Sequence, residues 1–263
     1  MRKEYPSDIT REEFERVRYL LEEGVKATKP QDIDLYDIFC GLLYLLKEGC
    51  TWRAIPHDYP KWQLIYYHFS MWKRRIHGAK FSVLDKVLDE LVESERIING
   101  RDPDPTMLIV DSKSVKNTDT AEEKGYDGAK KISGIKEHFG VDTLGLPHAE
   151  LVTTANISDR DGAIEMISLF APNLTKIAKV LCDGGFTGDK FAIAVKTLIN
   201  AEVEVVKRNE LHKFMVIPKR WIIERTNAWL EKYRRLWKNC EAKIYTTLQM
   251  TVLAFISILL KRY

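Results

Sequence analysis

The chain has 263 residues and a formal net charge of only +3. That length admits one large domain or two small ones, and so small a net charge excludes overall basicity or acidity as a guide to partners. Cys40, Cys50, Cys182 and Cys240 are far apart and form no Cys-x-x-Cys pair, which argues for reduced thiols in a cytosolic protein and against a disulfide framework or zinc site.

In chain order, Thr10–Gly24 reads as a first helix, with Thr10 as N-cap and Glu13 completing a capping box. Asp32–Gly49 is a second, densely apolar one. After the turn Thr51–Pro56 comes an aromatic-rich helix, Trp62–Ile76, carrying the basic run Lys73, Arg74 and Arg75. Phe81–Ile97 is a fourth. The order of helix, turn and basic aromatic helix is compatible with a helix-turn-helix-like DNA reader, while the plainer reading of the pattern alone is a bundle whose bases complement a helix dipole. The polar, turn-rich stretch Asn99–Pro105 suggests a boundary between domains at 1–100 and 105–263.

Beyond it the pattern changes. Met107–Val110 is an apolar run read as a buried strand ending on Asp111. Thr118–Lys130 reads as an exposed loop, and Lys131–Asp142 and His148–Asn156 as strands joined by the Leu144–Pro147 turn. Ser158 and Asp161 cap a helix to about Phe170. Ile177–Cys182 is a further strand, also ending on an acid, Asp183. Asp189 is expected to cap the helix Lys190–Asn200, and Val203–Val206 is the last strand. Lys219–Trp237 reads as one helix with Pro218 in its first turn, an inner stripe of Ile222, Thr226, Trp229, Tyr233 and Leu236, and Glu224 on the opposite side. Leu248–Leu260 falls short of the roughly 20 residues of a membrane span and is read as a buried helix.

Three antiparallel strands followed by helix, strand, helix, strand and helix is the order of a ribonuclease H-like α/β domain, in which Asp111 and Asp183 would end side by side. Three carboxylates together raise one another's pKa unless cations compensate. Two Mg²⁺ ions about 3.5–4 Å apart would do so, with Mn²⁺ able to substitute, and would support phosphodiester chemistry. Arg220, Arg225 and Lys232 are candidate phosphate contacts, as are Lys113 and Lys116. Each has a plainer reading. Asp111 and Asp183 are also ordinary turn residues, and Glu224 an ordinary solvated charge. Lys113 and Lys116 suit a solvated strand edge, His138 a structural role, and Asp159 and Asp161 helix caps. Trp221 could stack on a base or pack against the protein.

Seven segments carry a family resemblance in order along the chain: Gly49–Pro56, Val110–Lys116, Gly125–Lys131, Val141–Gly145, Asp159–Ala163, Asp183–Phe186 and Pro218–Thr226. Together they resemble bacterial insertion-sequence DDE transposases of the IS-four/IS-five group. The resemblance implies a ribonuclease H-like catalytic domain behind an all-α DNA-binding domain, with Asp111, Asp183 and Glu224 as catalytic acids and metal ligands. It further implies cleavage at terminal inverted repeats, transfer of 3′ ends to target DNA, and at least a dimer on double-stranded DNA in the bacterial cytosol, with no membrane partner. Against the related motif, Ile217 replaces a Tyr seven residues before Glu224, Glu231 replaces a base seven after it with Lys232 next along, and Arg220 is retained. Glu137 stands where a base precedes the His. The alternatives are a catalytically silent DNA-binding derivative and another ribonuclease H-like nuclease.

Overall fold

The computed structural model describes residues 2–24, 34–75, 80–206 and 220–262. They form two compact units: one of Met1–Leu91, Leu230–Trp237 and Gln249–Tyr263, the other of Val92–Trp229 and Lys238–Leu248. These units do not follow a single cut near residue 100, because two C-terminal segments group with the N-terminal helices.

The first unit is helical. Helix α1 (Arg11–Glu23) starts with the expected capping box: the Glu13 N–H donates to Thr10 Oγ1, and the Thr10 N–H donates to Glu13 Oε2. Helix α2 (Leu35–Glu48) is capped by Asp34 and closed by Gly49 in the left-handed conformation. A short 3₁₀ turn, Trp52–Ala54, leads to α3 (Trp62–Trp72). That helix is shorter than its sequence pattern. It stops at Trp72, whose indole N–H is spent on the Leu21 carbonyl at 2.9 Å, and Lys73 turns the chain. Lys73, Arg74 and Arg75 therefore follow the helix and are not on it. Phe14, Phe39 and Trp72 pack as a buried aromatic row. Helix α4 (Val83–Ile98) contributes its residues as far as Leu91 to this unit. The buried amide of Gln249 accepts from Ser82 Oγ and donates to Asp85 Oδ1.

The second unit is built on a sheet. Its strands are β1 (Met107–Lys116), β2 (Gly125–Asp127), β3 (Ile132–Val141), β4 (Pro147–Thr154), β5 (Lys179–Asp183) and β6 (Glu202–Val206). The order is β2-β3-β1-β5-β6, with β4 also paired to β3. β1 does not stop at Asp111: antiparallel pairing with β3 carries it to Lys116, so Asp111 lies mid-strand. β2 falls within the stretch expected to be loop. Helix α5 (Asp159–Phe170) starts at Ser158, whose hydroxyl accepts the Asp161 N–H as anticipated. Helix α6 (Asp189–Ile199) is entered through Gly188 at φ +120, so Asp189 is its first residue and not its cap.

Helix α7 (Arg220–Leu230) is the largest departure from the pattern. The single helix expected to reach Trp237 ends seven residues early. Tyr233 is extended, a separate 3₁₀ turn covers Arg234–Leu236, and the Trp237 indole N–H caps the freed Glu231 carbonyl at 2.7 Å. Pro218 and Lys219 lie outside the described residues. The last helix, α8 (Ile244–Leu260), is apolar and buried along most of its length, as expected. Among the described residues no helix is long and apolar enough to cross a membrane. All four cysteines are free thiols.

Candidate active site

The two aspartates are brought together by strand register. β1 and β5 run parallel, with Ile109 level with Leu181. Two residues further along each strand stand Asp111 and Asp183, on the same face because side chains alternate with period 2. Beyond the 109/181 pair β1 continues on β3 and β5 on β6, so the strands part and leave a cleft just past that pair. Open α/β sheets place ligands at such a parting. A small crevice there is lined by Ile109, Asp111, Leu181, Asp183, Val206 and Ile223. Asp183 turns the chain as well: its Oδ1 accepts the Gly185 N–H at 2.8 Å.

Helix α7 supplies the third wall. Ile222, Ile223 and Thr226 are buried, and Glu224 is exposed on the adjoining flank. Asn227, three residues after Glu224 and therefore its neighbour on the helix surface, points Nδ2 at Asp111 Oδ2 from 3.5 Å. Its Oδ1 is buried without a hydrogen-bond partner. Two hard carboxylates lining one crevice and an unsatisfied amide oxygen on the adjoining helix fit a divalent cation of the magnesium class. Among the described residues no three His, Cys, Asp or Glu side chains form a ready-made cage. The structure thus gathers Asp111 and Asp183 and sets Glu224 on the helix alongside, without closing the three into one cluster.

The candidate cations fall in several places. Lys113 is half-buried two residues past Asp111 on the same strand face, and Lys116 is exposed at the strand end. Arg220 is the first residue of α7. Arg225 is half-buried, with Nη2 donating to the Leu144 carbonyl at 2.8 Å and its guanidinium over the rings of Trp221 and Trp229. Trp221 is itself 47% exposed, so it is not a core residue. Lys232, Lys73, Arg74 and Arg75 belong to the helical unit; Lys232, Arg74 and Arg75 are exposed, and Lys73 Nζ lies 5.3 Å from the Phe69 ring centre.

The opposite face of β1 carries a buried polar network. His138 is enclosed, with Nδ1 at 2.8 Å from Ser112 Oγ and Nε2 at 3.0 Å from Thr153 Oγ1. It has the structural role favoured by its sequence context. Its ring fills the space at Gly162, where a Cβ would lie 2.1 Å from it, which explains that glycine in α5. Buried Lys136 donates to the Ile157 carbonyl and pairs with Asp159 at 2.7 Å and Asp127 at 3.4 Å. The Ser114 hydroxyl, the Lys130 and Ala129 N–H groups and Lys136 together hold Asp127 down at about 2 despite its burial. Asp159 is therefore more than a helix-start residue, whereas Asp161 serves the cap and pairs with Lys190.

Burial lowers His138 to about 4. A depressed pKa contributes stability above the unfolded value near 6.5 that is lost as pH falls toward the folded value. Stability is therefore expected to drop by about 3 kcal/mol between roughly pH 6.5 and 4. Urea unfolding of wild type and His138→Gln across that range checks this: the variant should lose that part of the slope, and an equal slope in both would assign it to other groups.

Residues 102–260 match the family described as "Transposase DDE domain", and residues 9–79 the one described as "Putative transposase of IS4/5 family". The chain is also similar to the "Putative transposase for insertion sequence element IS402" of Burkholderia cepacia, 30% identical over 110 residues, which are 39% of this chain and 52% of that one. The chain thus spans about half the length of this curated relative. No solved structure matches it. A ribonuclease H-like fold is what a DDE domain implies, and the strand order, with an aspartate on each of two neighbouring parallel strands, is in keeping with it. The first family match covers more than half the chain, the second most of the helices before it, and the chain belongs to the DDE transposases of the IS4/5 type.

Proposed function

We propose that the chain binds the terminal inverted repeats of an insertion sequence, cleaves the DNA there and joins the 3′ ends to target DNA, with Asp111, Asp183 and Glu224 as the metal ligands. The observation that supports this reading is that Asp111 and Asp183, each two residues past the paired Ile109 and Leu181, line one crevice with Ile223 of α7. Bound Mg²⁺, or Mn²⁺ in its place, would supply Lewis acidity and lower the pKa of an attacking water or hydroxyl. Asp111 and Asp183 would hold the metal from the sheet and Glu224 from the helix. Asn227 would orient Asp111. Ile109, Leu181, Val206 and Ile223 would form the apolar floor that limits water around the carboxylates. Lys113, Lys116 and Arg220 remain proposed backbone contacts on this unit.

The helices of residues 1–100 would read the repeat sequence in a helix-turn-helix-like manner, and 105–263 would carry the catalysis. Exposed Tyr66, Tyr67, Arg74 and Arg75 support a nucleic-acid surface on α3 and the turn after it. Holding two ends at once calls for at least a dimer on DNA, acting in the bacterial cytosol. The test is incubation of linear DNA ending in the element's repeats with the protein and Mg²⁺, Mn²⁺ or EDTA. Nicking at the repeat boundary that EDTA abolishes is expected. Repeat binding with no cleavage in either metal would make the protein a silent DNA-binding derivative. Separately, replacing Lys73, Arg74 and Arg75 by Ala should weaken repeat binding and reduce the slope of log affinity against log salt by up to about 3. An unchanged slope would locate the DNA surface elsewhere.

A further inference from the structure

The β3–β4 connection is built to receive a helix. Asp142 is fully buried, and its Oδ1 accepts the N–H groups of Leu144 at 2.8 Å and Leu146 at 2.9 Å. Its other oxygen meets Arg96 and His148. The Asp142 N–H closes the turn onto the Leu146 carbonyl, and the Gly145 N–H returns to the Asp142 carbonyl. These bonds stiffen the turn and leave two carbonyls facing α7. Leu144 O accepts from Arg225 Nη2 at 2.8 Å, and Gly145 O accepts from buried Thr226 Oγ1 at 3.0 Å. Gly145 has φ +79, and a Cβ there would come within 2.7 Å of Thr226 Oγ1 and 3.1 Å of Arg225 Nη2. The approach is so close that only glycine fits it.

Arg225 and Thr226 are the two residues directly after Glu224. Successive helical residues are about 100° apart, so holding these two sets the direction in which Glu224 projects. A roll of about 20° would move a side chain carried 5–6 Å from the helix axis by about 2 Å, more than enough to spoil a metal site.

We propose that the Asp142–Leu146 turn is the seat that sets the rotation of α7, and that Arg225 and Thr226 are positioning residues for Glu224, not contacts to DNA. The proposal rests on the reading of Glu224 as a metal ligand. The Trp221 and Trp229 rings flank the Arg225 guanidinium and keep it directed at Leu144. The motif Val141–Gly145 thereby has a purpose that its own strand context does not supply.

The test uses the full chain and Mn²⁺ alone as probe, followed by electron paramagnetic resonance. Arg225→Ala and Thr226→Val should each weaken Mn²⁺ binding by about 10-fold or more, as loss of a supporting residue behind a metal ligand does. Thr226→Ser, which keeps the hydroxyl, should restore it. In a Glu224→Ala background neither change should weaken it further, because there is no carboxylate left to position. Repeat-DNA affinity and its salt slope should stay at wild-type values. Wild-type Mn²⁺ binding in both variants overturns the proposal. So does an Arg225→Ala protein whose DNA affinity falls with a salt slope lower by about 1, the mark of a lost phosphate contact. If wild type binds no Mn²⁺, the metal reading of Glu224 fails by itself and amide hydrogen exchange decides the seat. Exchange across Arg220–Leu230 about 10-fold faster in Gly145→Ala, with β1 unaffected, supports it; unchanged exchange there overturns it.

Discussion

Asp183→Asn and Asp111→Asn should each reduce DNA cleavage by about 10³-fold or more while leaving repeat binding within about twofold, since a lost metal ligand forfeits several kcal/mol of transition-state stabilisation and each decade is about 1.4 kcal/mol. The two residues line one crevice, each two positions past the paired Ile109 and Leu181, so two like charges share its walls. Removing one charge relieves that repulsion. The metal-free variants should therefore melt no lower than wild type, and the stabilisation of wild type by added Mg²⁺ should be lost in both. Single-turnover cleavage of repeat-ended DNA, with thermal melting with and without Mg²⁺, checks both halves. A variant that cleaves at the wild-type rate removes that aspartate from the site. A variant that neither binds nor melts cooperatively would show the residue to be structural.

The largest stability effect is expected at the Arg96–Asp142 pair. The two side chains retain 7% and 1% of their exposure. Burial would raise Asp142, but the hydrogen bond and charge of His148, the Leu146 N–H and the charge of Arg96 outweigh it and hold the carboxylate below its ordinary range. Arg96→Met leaves that buried charge without its guanidinium partner and also removes the bond from Arg96 Nε to the Asp102 carbonyl. Breaking one side of a buried pair costs about 3–5 kcal/mol, a large share of the 5–15 kcal/mol that holds a typical domain. The Asp142→Asn/Arg96→Met double variant should lose less than the sum of the singles, because no uncompensated charge remains. Urea unfolding measures all three; a loss under about 1 kcal/mol in Arg96→Met would mean that water or the turn amides already satisfy the carboxylate.

How far the residues announce this structure depends on the range of the forces at each position. Thr10 with Glu13, and Ser158 with Asp161, are legible because a cap is made within four residues. The apolar runs before Asp111 and Asp183 are legible as strands because burial on both faces demands them. The continuation of β1 to Lys116 was not, because its partner, β3, lies some twenty residues on and polar residues such as Lys113 and Ser114 do not read as strand. The end of α7 at Leu230 is likewise invisible in a periodic sequence: Tyr233 and Leu236 keep the helical spacing, yet the extended Tyr233 and the Trp237 cap break it. At the site, residue type pointed to the acids. The amide of Asn227 at Asp111 joins residues 116 positions apart, and its only signal was proximity to Glu224 on the helix. Gly145 and Gly162 stood in recognisable motifs, but their reasons lie in Thr226 and His138, side chains brought to them by the fold.

Anomalous diffraction at the manganese edge, from crystals of the protein grown with repeat-end DNA and Mn²⁺, would locate the metal itself. A peak is expected within about 2.5 Å of carboxylate oxygens of Asp111 and Asp183, with the Glu224 side chain swung in to complete the coordination of the bound metal. Manganese bound elsewhere, with Asp111 and Asp183 holding none and Glu224 turned away from both, would contradict it.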